Sequence, residues 1–241
     1  NPFHGVDYLL LTIISLVMGT LLYVGLRTPP NNLDSLHTHL LRIYYWLQHG
    51  SLANWNATGV YQLIYPINAH LQGLWLFLLG KSESLFFLVS WFSLAVIACV
   101  VFEIARILKF STTQALFSVM LLLTCAVVLL QVYSFQHDLT VAAMVMVAGW
   151  ALLNYAREQR LPDLLVVMLA LALSLGIKQT AFFVLPFFFL AALVLLLKKQ
   201  VNTYHLKWLP LVAGFFLFFS FYQYAQNLAS FHSFFGVNDV I

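Results

Sequence analysis

About seven apolar runs in this chain are each long enough to cross a lipid bilayer as a helix. The hydrocarbon core requires roughly 20 residues at about 1.5 Å per residue. The predicted spans are residues 8–26, 85–108, 112–134, 138–156, 162–178, 179–197 and 208–226. A soluble chain of 241 residues could not bury this much apolar surface, since 62% of the residues are hydrophobic and only 8% are charged. The sequence therefore predicts an all-α polytopic membrane protein.

We expect residues 1–241 to form a single transmembrane domain, because neither an internal repeat nor a soluble domain is visible. Residues 28–84 are predicted to be an external loop that contains amphipathic helices. Apolar residues at three- and four-residue spacing indicate one helix from Asp34 to Gly50, and a second is expected from Ile67 to Leu79. The chain stops in mid-pattern at Ile241, which favours a truncation at the C-terminus.

The positive charges predict how the spans are oriented. If the spans alternate in direction, seven Lys and Arg residues fall on one side and four on the other. The larger group is Arg106, Lys109, Arg157, Arg160, Lys198, Lys199 and Lys207, and the smaller is Arg27, Arg42, Lys81 and Lys178. The positive-inside rule makes the larger group cytoplasmic, so the 28–84 loop and Lys178 are predicted to face outward.

Ionisable residues concentrate directly after the first span. Asp34, His37, His39 and Arg42 lie within nine positions of each other. Ionisable groups beside a membrane span carry a free-energy cost, so this cluster is a candidate functional site. A carboxylate and an arginine there would suit a site that activates a hydroxyl and holds an anion. The alternative is a solvated polar face on which Asp34 only caps a helix.

Two further residues stand beside apolar spans on the outward side. Asp138 opens the fourth span, and Lys178 lies between the fifth and the sixth. An aspartate in this position is also a good helix N-cap, and a lysine can extend to the interface. If Lys178 lies slightly below the outer surface, it needs an anionic partner, and a lipid phosphate would serve.

Histidines also collect on the predicted outward side. His39, His70 and His137, together with Asp34 and Asp138, are the right ligand types for a divalent cation. The sequence lacks a dense ligand motif such as His-Glu-x-x-His, so a site with a metal ion and one without it both stay open. No other cofactor is predicted.

Four segments in order carry a resemblance to a known family. They are Asp34-Ser-Leu-His-Thr-His-Leu-Leu-Arg, Gln62-Leu-Ile-Tyr-Pro-Ile-Asn-Ala-His-Leu, Tyr133-Ser-Phe-Gln-His-Asp-Leu-Thr-Val-Ala and Leu173-Ser-Leu-Gly-Ile-Lys-Gln-Thr-Ala. On this topology they resemble the GT-C superfamily of membrane glycosyltransferases. The likeness is to its bacterial dolichyl-phosphate-mannose and aminoarabinose transferase-like group, in which the chain would be about half the usual length.

The resemblance implies an inverting transfer of a sugar from a polyprenyl-phosphate donor to an acceptor on the outer side of a bacterial plasma membrane. It implies that Asp34 is the catalytic base and that Asp138 is a second catalytic carboxylate. Three residues would bind the substrate, namely Lys178, Arg42 and Tyr65. Of these, Lys178 and Arg42 would bind its lipid phosphate. His70 replaces the acidic residue that is frequent in the second loop helix, which leaves histidine ligands for a metal open.

Two rival functions remain open at this stage. One is a non-catalytic GT-C-like subunit of a larger membrane complex. The other is a transporter, which ranks third because the polar residues concentrate at the outer span ends rather than along the span centres. The expected partners are a lipid-linked sugar donor, membrane lipids and a larger membrane complex. The net charge of +3 is too small to indicate a nucleic-acid partner.

Overall fold

The computed structural model describes residues 4–236, and every regular element in this range is helical. A π-helix, Ser35–Leu40, follows α1, and short 3₁₀ turns cover Glu83–Leu85, Gln179–Val184 and Thr203–Trp208. The α-helices are α1 (Gly5–Arg27), α2 (Leu41–His49), α3 (Tyr61–Ile64), α4 (Asn68–Gly80), α5 (Leu88–Ile107), α6 (Thr112–Leu122), α7 (Ala126–Val132), α8 (Asp138–Glu158), α9 (Leu161–Ile177), α10 (Leu185–Leu197), α11 (Pro210–Phe219) and α12 (Phe221–Phe231). The predicted fold class is confirmed.

Four segments of the described chain are long and apolar enough to cross a membrane as straight helices. They are Gly5–Arg27, Glu83–Ile107, Asp138–Glu158 and Gln179–Leu197. Each corresponds to a predicted span, because the length and hydropathy of an apolar run can be read directly from the sequence.

The other three predicted spans are not straight helices of full length. The axes of α6 and α7 meet at 69°, and α12 is bent by 62° from the segment Thr203–Phe219. Helix α9 has only 17 residues, at the lower limit for a span. The described residues therefore contain four candidate spans, or up to six if each bent pair counts as one, rather than about seven.

Side-chain hydrogen bonds mark both bends. Thr124 Oγ1 donates to the carbonyl of Leu121 at 2.7 Å, an alternative to the regular helical ladder. At the second bend Ser220 Oγ donates to the carbonyl of Ala172 on α9. Hydropathy carries no information on such bonds. For this reason it predicts residues 112–134 and 208–226 as continuous spans, whereas the structure bends both.

Small residues allow the central helices to approach closely. Ala143, Ala148 and Ala151 are buried on α8, and Ala170 and Ala172 are buried on α9. By contrast, α10 and α11 have no buried residue. The main apolar core lies among α1, α5, α6, α7 and α8. Helices α10 and α11 present apolar surface outward, as expected for lipid contact.

The charged residues are divided between the two ends of the bundle. Arg106, Lys109, Arg157 and Arg160 lie at one end, where α5 and α8 finish and α6 and α9 begin. The N-terminal end of α1 is at this same end, since Asp7 Oδ1 accepts a hydrogen bond from Thr113 Oγ1 at 2.6 Å. The polar candidates of the sequence all lie at the other end. Which end faces outward stays a prediction.

Candidate active site

The segment after α1 forms a π-helix where an ordinary α-helix was predicted. In an α-helix, residues five apart point about 140° away from each other, at 3.6 residues per turn. The π-helix bonds residue i to residue i+5, so residues five apart lie on nearly the same side. Accordingly, His39 Nε2 lies 3.5 Å from Asp34 Oδ2. On this π-helix His37 is exposed, whereas Thr38 and His39 are buried.

Hydrogen bonds hold the turn before α8 against this π-helix. The backbone N–H of Phe135 donates to Ser35 Oγ at 2.8 Å, and Ser90 Oγ on α5 donates to the carbonyl of Ser134 at 3.0 Å. Phe135 is fully buried. As a result the ring of His137 lies 4.0 Å from that of His39, measured between centroids.

Helix α4 brings the third histidine of the predicted set. Its start follows Tyr65-Pro66, where the proline disfavours continuation of α3. Gly73 permits the close approach, because a Cβ at this position would overlap the ring of Phe135. His70 Nε2 lies 3.0 Å from His39 Nδ1, and the His70 and His137 rings are 4.5 Å apart. The three histidines predicted as metal ligands therefore lie together.

Asp138 and Lys178 meet at the same end of the bundle. Lys178 is the C-cap residue that follows α9, and Asp138 is the first residue of α8. The two form an ion pair in which Lys178 Nζ is 2.6 Å from Asp138 Oδ1. The end of α9 also packs tightly on α4, since a Cβ at Gly176 would overlap the side chain of Asn68.

Helix capping does not explain either aspartate. Asp34 precedes the π-helix but makes no capping hydrogen bond to its backbone. The N-cap of α8 is His137 rather than Asp138. The capping interpretation, which was the alternative for both residues, is therefore wrong for this structure.

A small cavity joins most of these groups. It has a volume of about 50 Å³ and is lined by Asp34, His39, Tyr65, His137, Ile177 and Lys178. This space is enough for one or two water molecules, whereas pockets for ligands the size of a sugar are several times larger. It is thus the meeting point of a carboxylate, two imidazoles and an ammonium group rather than a complete substrate pocket.

A larger pocket lies beside Asp34. It has a volume of about 550 Å³ and is lined by side chains of α1, the 28–32 segment, α7 and the 133–136 turn. Four amide side chains contribute to it: Asn31, Asn32, Gln131 and Gln136. Gln136, which lines this pocket, also lowers the pKa of Asp34, so its side chain lies near that carboxylate.

The electrostatics favour a charged Asp34 and neutral buried histidines. The hydrogen bond from His39 lowers the pKa of Asp34 below its ordinary value, and Thr38 and Gln136 act in the same direction. Burial lowers the pKa of His70 and of His137 well below the ordinary histidine value. At neutral pH Asp34 is thus ionised, and His70 and His137 are uncharged.

Arg42 lies outside the small cavity. Its guanidinium is buried and donates to the carbonyls of Tyr65, at 2.6 Å, and Leu63, at 3.0 Å, and to Gln223 Oε1 of α12. Burial lowers the pKa of Arg42 to about 9. A phosphate would reach it only by displacing these partners. The predicted role of Arg42 in substrate binding stays a prediction. The geometry shows that Arg42 joins α2 to α3, to Tyr65 directly after α3, and to α12.

Sequence reasoning missed the amide residues around the site. Gln223 Nε2 donates to the carbonyl of Leu63 at 2.6 Å, and Asn227 Nδ2 donates to that of Ile64 at 3.0 Å. The signal was present, because Gln223 and Asn227 stand four apart and share a helix face. Extending the last predicted span through residue 226 concealed it.

Together, the fold and this site define a helical polytopic membrane protein with its polar groups gathered at one end of the bundle. Residues 66–223 match the family described as dolichyl-phosphate-mannose-protein mannosyltransferase. The match covers more than half of the chain, so the protein belongs to this family. The family is of the GT-C type, and the resemblance predicted from the sequence is therefore confirmed. Comparison with curated proteins and with solved structures gave no match.

Family membership places the chain among the membrane glycosyltransferases of the GT-C group. The matched range includes His70, His137, Asp138 and Lys178. Asp34, at the other side of the cavity, lies before it. Its assignment therefore rests on the geometry of the site and on the resemblance of its own segment.

Proposed function

We propose that this protein transfers a sugar from a polyprenyl-phosphate donor to a hydroxyl acceptor by a single inverting displacement. The observation that carries this proposal is the cavity that Asp34 and Lys178 line together. A displacement of this kind needs a base for the acceptor and a cation for the leaving phosphate. Both are present at one end of the bundle, next to apolar helices that suit a prenyl chain.

In the proposed reaction, the acceptor oxygen attacks the anomeric carbon of the sugar. The new carbon–oxygen bond forms as the bond from that carbon to the phosphate oxygen breaks. Asp34 accepts the acceptor's proton, a role for which its lowered pKa keeps it ionised. The bond electrons leave with the polyprenyl phosphate, whose charge Lys178 stabilises. One displacement inverts the anomeric configuration.

Asp138 acts through Lys178 in this account. It does not line the small cavity, and its Oδ1 accepts a hydrogen bond from Lys178 Nζ at 2.6 Å. The pair holds the ammonium group at the cavity edge, where an arriving phosphate can share it. We therefore treat Asp138 as a positioning residue for the lysine.

The larger pocket is the proposed place of the sugar. Its four amide side chains offer both hydrogen-bond donors and acceptors, which suit the hydroxyl groups of a sugar. Gln136 lines this pocket and lowers the pKa of Asp34, so a sugar there would lie on the side of the base. Tyr65 lines the small cavity and is proposed to contact the phosphate or the acceptor.

The main rival is a non-catalytic subunit of a larger complex. Such a subunit has no need for an ionised carboxylate and a lysine in one cavity, so this arrangement favours the transferase. A transporter is disfavoured because the charged groups of the described site gather at one end of the bundle and do not follow a path through it.

Release of polyprenyl phosphate tests the proposal. The full-length protein in lipid nanodiscs is incubated with polyprenyl-phosphate sugars, mannose first, and with a membrane extract of the source cell as acceptor. Asp34→Asn is expected to lower the release rate about 100-fold or more, the usual contribution of a general base. Asp163→Asn is the matched control, because Asp163 pairs with Arg160 at the opposite end.

Two results would contradict the proposal. One is a wild-type protein that releases no polyprenyl phosphate from any donor of the panel above the level of empty nanodiscs. The other is an Asp34→Asn variant that releases it as fast as Asp163→Asn does.

A further inference from the structure

We propose that His39, His70 and His137 bind one divalent transition-metal ion, with zinc as the best match. Each of the three can offer one ligand nitrogen, and these nitrogens all lie within 4.8 Å of one another. All three residues are buried. They come from three separate segments, namely the π-helix, α4 and the turn before α8.

The distances suit a metal centre after small rotations of the rings. Zinc binds imidazole nitrogen at about 2.0–2.1 Å, which puts tetrahedral ligand atoms roughly 3.4 Å apart. His39 Nδ1 and His70 Nε2 already lie 3.0 Å apart. The ring of His137 lies 4.0 Å from that of His39 and 4.5 Å from that of His70.

Asp34 determines which nitrogen of His39 is available. Its Oδ2 lies 3.5 Å from His39 Nε2, so the carboxylate favours the proton on Nε2 and leaves the lone pair on Nδ1. That lone pair points at His70 Nε2. A carboxylate behind a metal-binding histidine is a frequent feature of zinc sites, where it orients the ring.

An unsatisfied buried nitrogen is the second observation. His137 is only 2% exposed, and its Nε2 has no hydrogen-bond partner among residues 4–236. Buried polar atoms in proteins are nearly always paired. A buried, unpaired nitrogen on a histidine that packs against two other imidazoles is what a ligand residue would show without its ion.

The ligand set selects the kind of metal. Imidazole suits zinc, copper, iron and nickel, whereas magnesium, calcium and manganese prefer oxygen ligands. Two of the three histidines line the 50 Å³ cavity, which leaves room for a water molecule as a further ligand. Three protein ligands with one open position are typical of a catalytic zinc site rather than of a closed structural one.

Metal content and thermal stability test the proposal directly. The full-length protein, without a histidine tag, is stripped with a chelator and titrated with Zn²⁺ or with Co²⁺, whose visible absorption reports tetrahedral nitrogen coordination. We expect one equivalent per chain, a higher Tm with metal, and a Co²⁺ spectrum. His70→Gln and His137→Gln are each expected to weaken binding tenfold or more, because even the loss of an outer-shell partner of a metal ligand costs about 10–100-fold in affinity.

Two histidines serve as matched controls. His37 is exposed on the same π-helix, and His205 is buried at the opposite end, where its Nδ1 lies 3.2 Å from the Tyr155 hydroxyl. His37→Gln and His205→Gln should each retain one equivalent. If a ligand variant fails to fold, the wild-type titration still decides.

The proposal is overturned if neither Zn²⁺ nor Co²⁺ changes the Tm of the stripped wild type and Co²⁺ gives no visible spectrum. It is also overturned if His37→Gln loses binding as fully as His70→Gln. These readouts need no sugar donor, so their failure would leave the proposed transfer reaction untouched.

Discussion

Lys178 Nζ lies 2.6 Å from Asp138 Oδ1, although 40 positions separate the two residues. The lysine directly follows α9 and the aspartate begins α8, so the pair closes one end of an antiparallel helical hairpin. Their side chains are 30% and 41% exposed, and an ion pair this accessible adds little stability. Its main consequence is to hold a cation beside the cavity of Asp34.

Replacing Lys178 should weaken phosphate binding. Lys178→Met is expected to raise the Kd for a polyprenyl monophosphate about tenfold, because a partly desolvated charge-assisted hydrogen bond to phosphate is lost. Titration of the protein in nanodiscs with this lipid measures the effect. The control is Lys81→Met, since Lys81 is exposed and does not line the cavity. Equal affinities for the two variants would count against Lys178 as the phosphate ligand.

Asp138→Asn separates a positioning role from a catalytic one. If the carboxylate only holds Lys178, turnover should fall about tenfold or less and the Kd for polyprenyl phosphate should change with it. Loss of a general base would instead cost about 100-fold or more with little change in binding. Comparison of kcat and Kd for this variant therefore decides between the two roles.

Arg42 and Gln223 should be coupled in stability. The Arg42 guanidinium donates a hydrogen bond to the Gln223 side-chain amide, and both groups also donate to the carbonyl of Leu63. In a double-mutant cycle of Arg42→Met and Gln223→Leu, we expect a coupling free energy of about 1–3 kcal/mol. Denaturant unfolding in detergent measures it. Exposed Arg27→Met paired with Gln223→Leu is the control, and additive effects in the Arg42 cycle would refute the coupling.

Gly73 should tolerate no side chain. A Cβ there would overlap Phe135, which packs beside the three histidines, so Gly73→Ala is expected to destabilise the fold by about 1–3 kcal/mol. Gly149 is a helical glycine with open space around it, and Gly149→Ala should be neutral or slightly stabilising. Thermal unfolding compares the stability of the two variants. A Gly73→Ala protein as stable as Gly149→Ala would contradict the close packing of α4 against Phe135.

The sequence predicted the parts of the fold that depend on local hydropathy. It also predicted that Asp34, His137 and Lys178 lie at the same end of the bundle, because alternate loops between antiparallel spans lie on the same side. The π-helix escaped prediction, since the Ser35 bond that accompanies it comes from Phe135, 100 positions away. The partner of Arg42 is more distant still, as Gln223 lies 181 positions away. Such contacts depend on tertiary packing, which periodicity does not report.

The most direct test of the proposed site is an experimental structure of the full-length protein with a bound polyprenyl-phosphate sugar. The account predicts the phosphate within hydrogen-bond distance of Lys178 Nζ, about 2.7–3.2 Å. It also predicts the sugar in the pocket lined by Gln136, with the anomeric carbon on the side of Asp34. A donor bound elsewhere on the bundle, with Asp34 and Lys178 both out of its reach, would contradict the account.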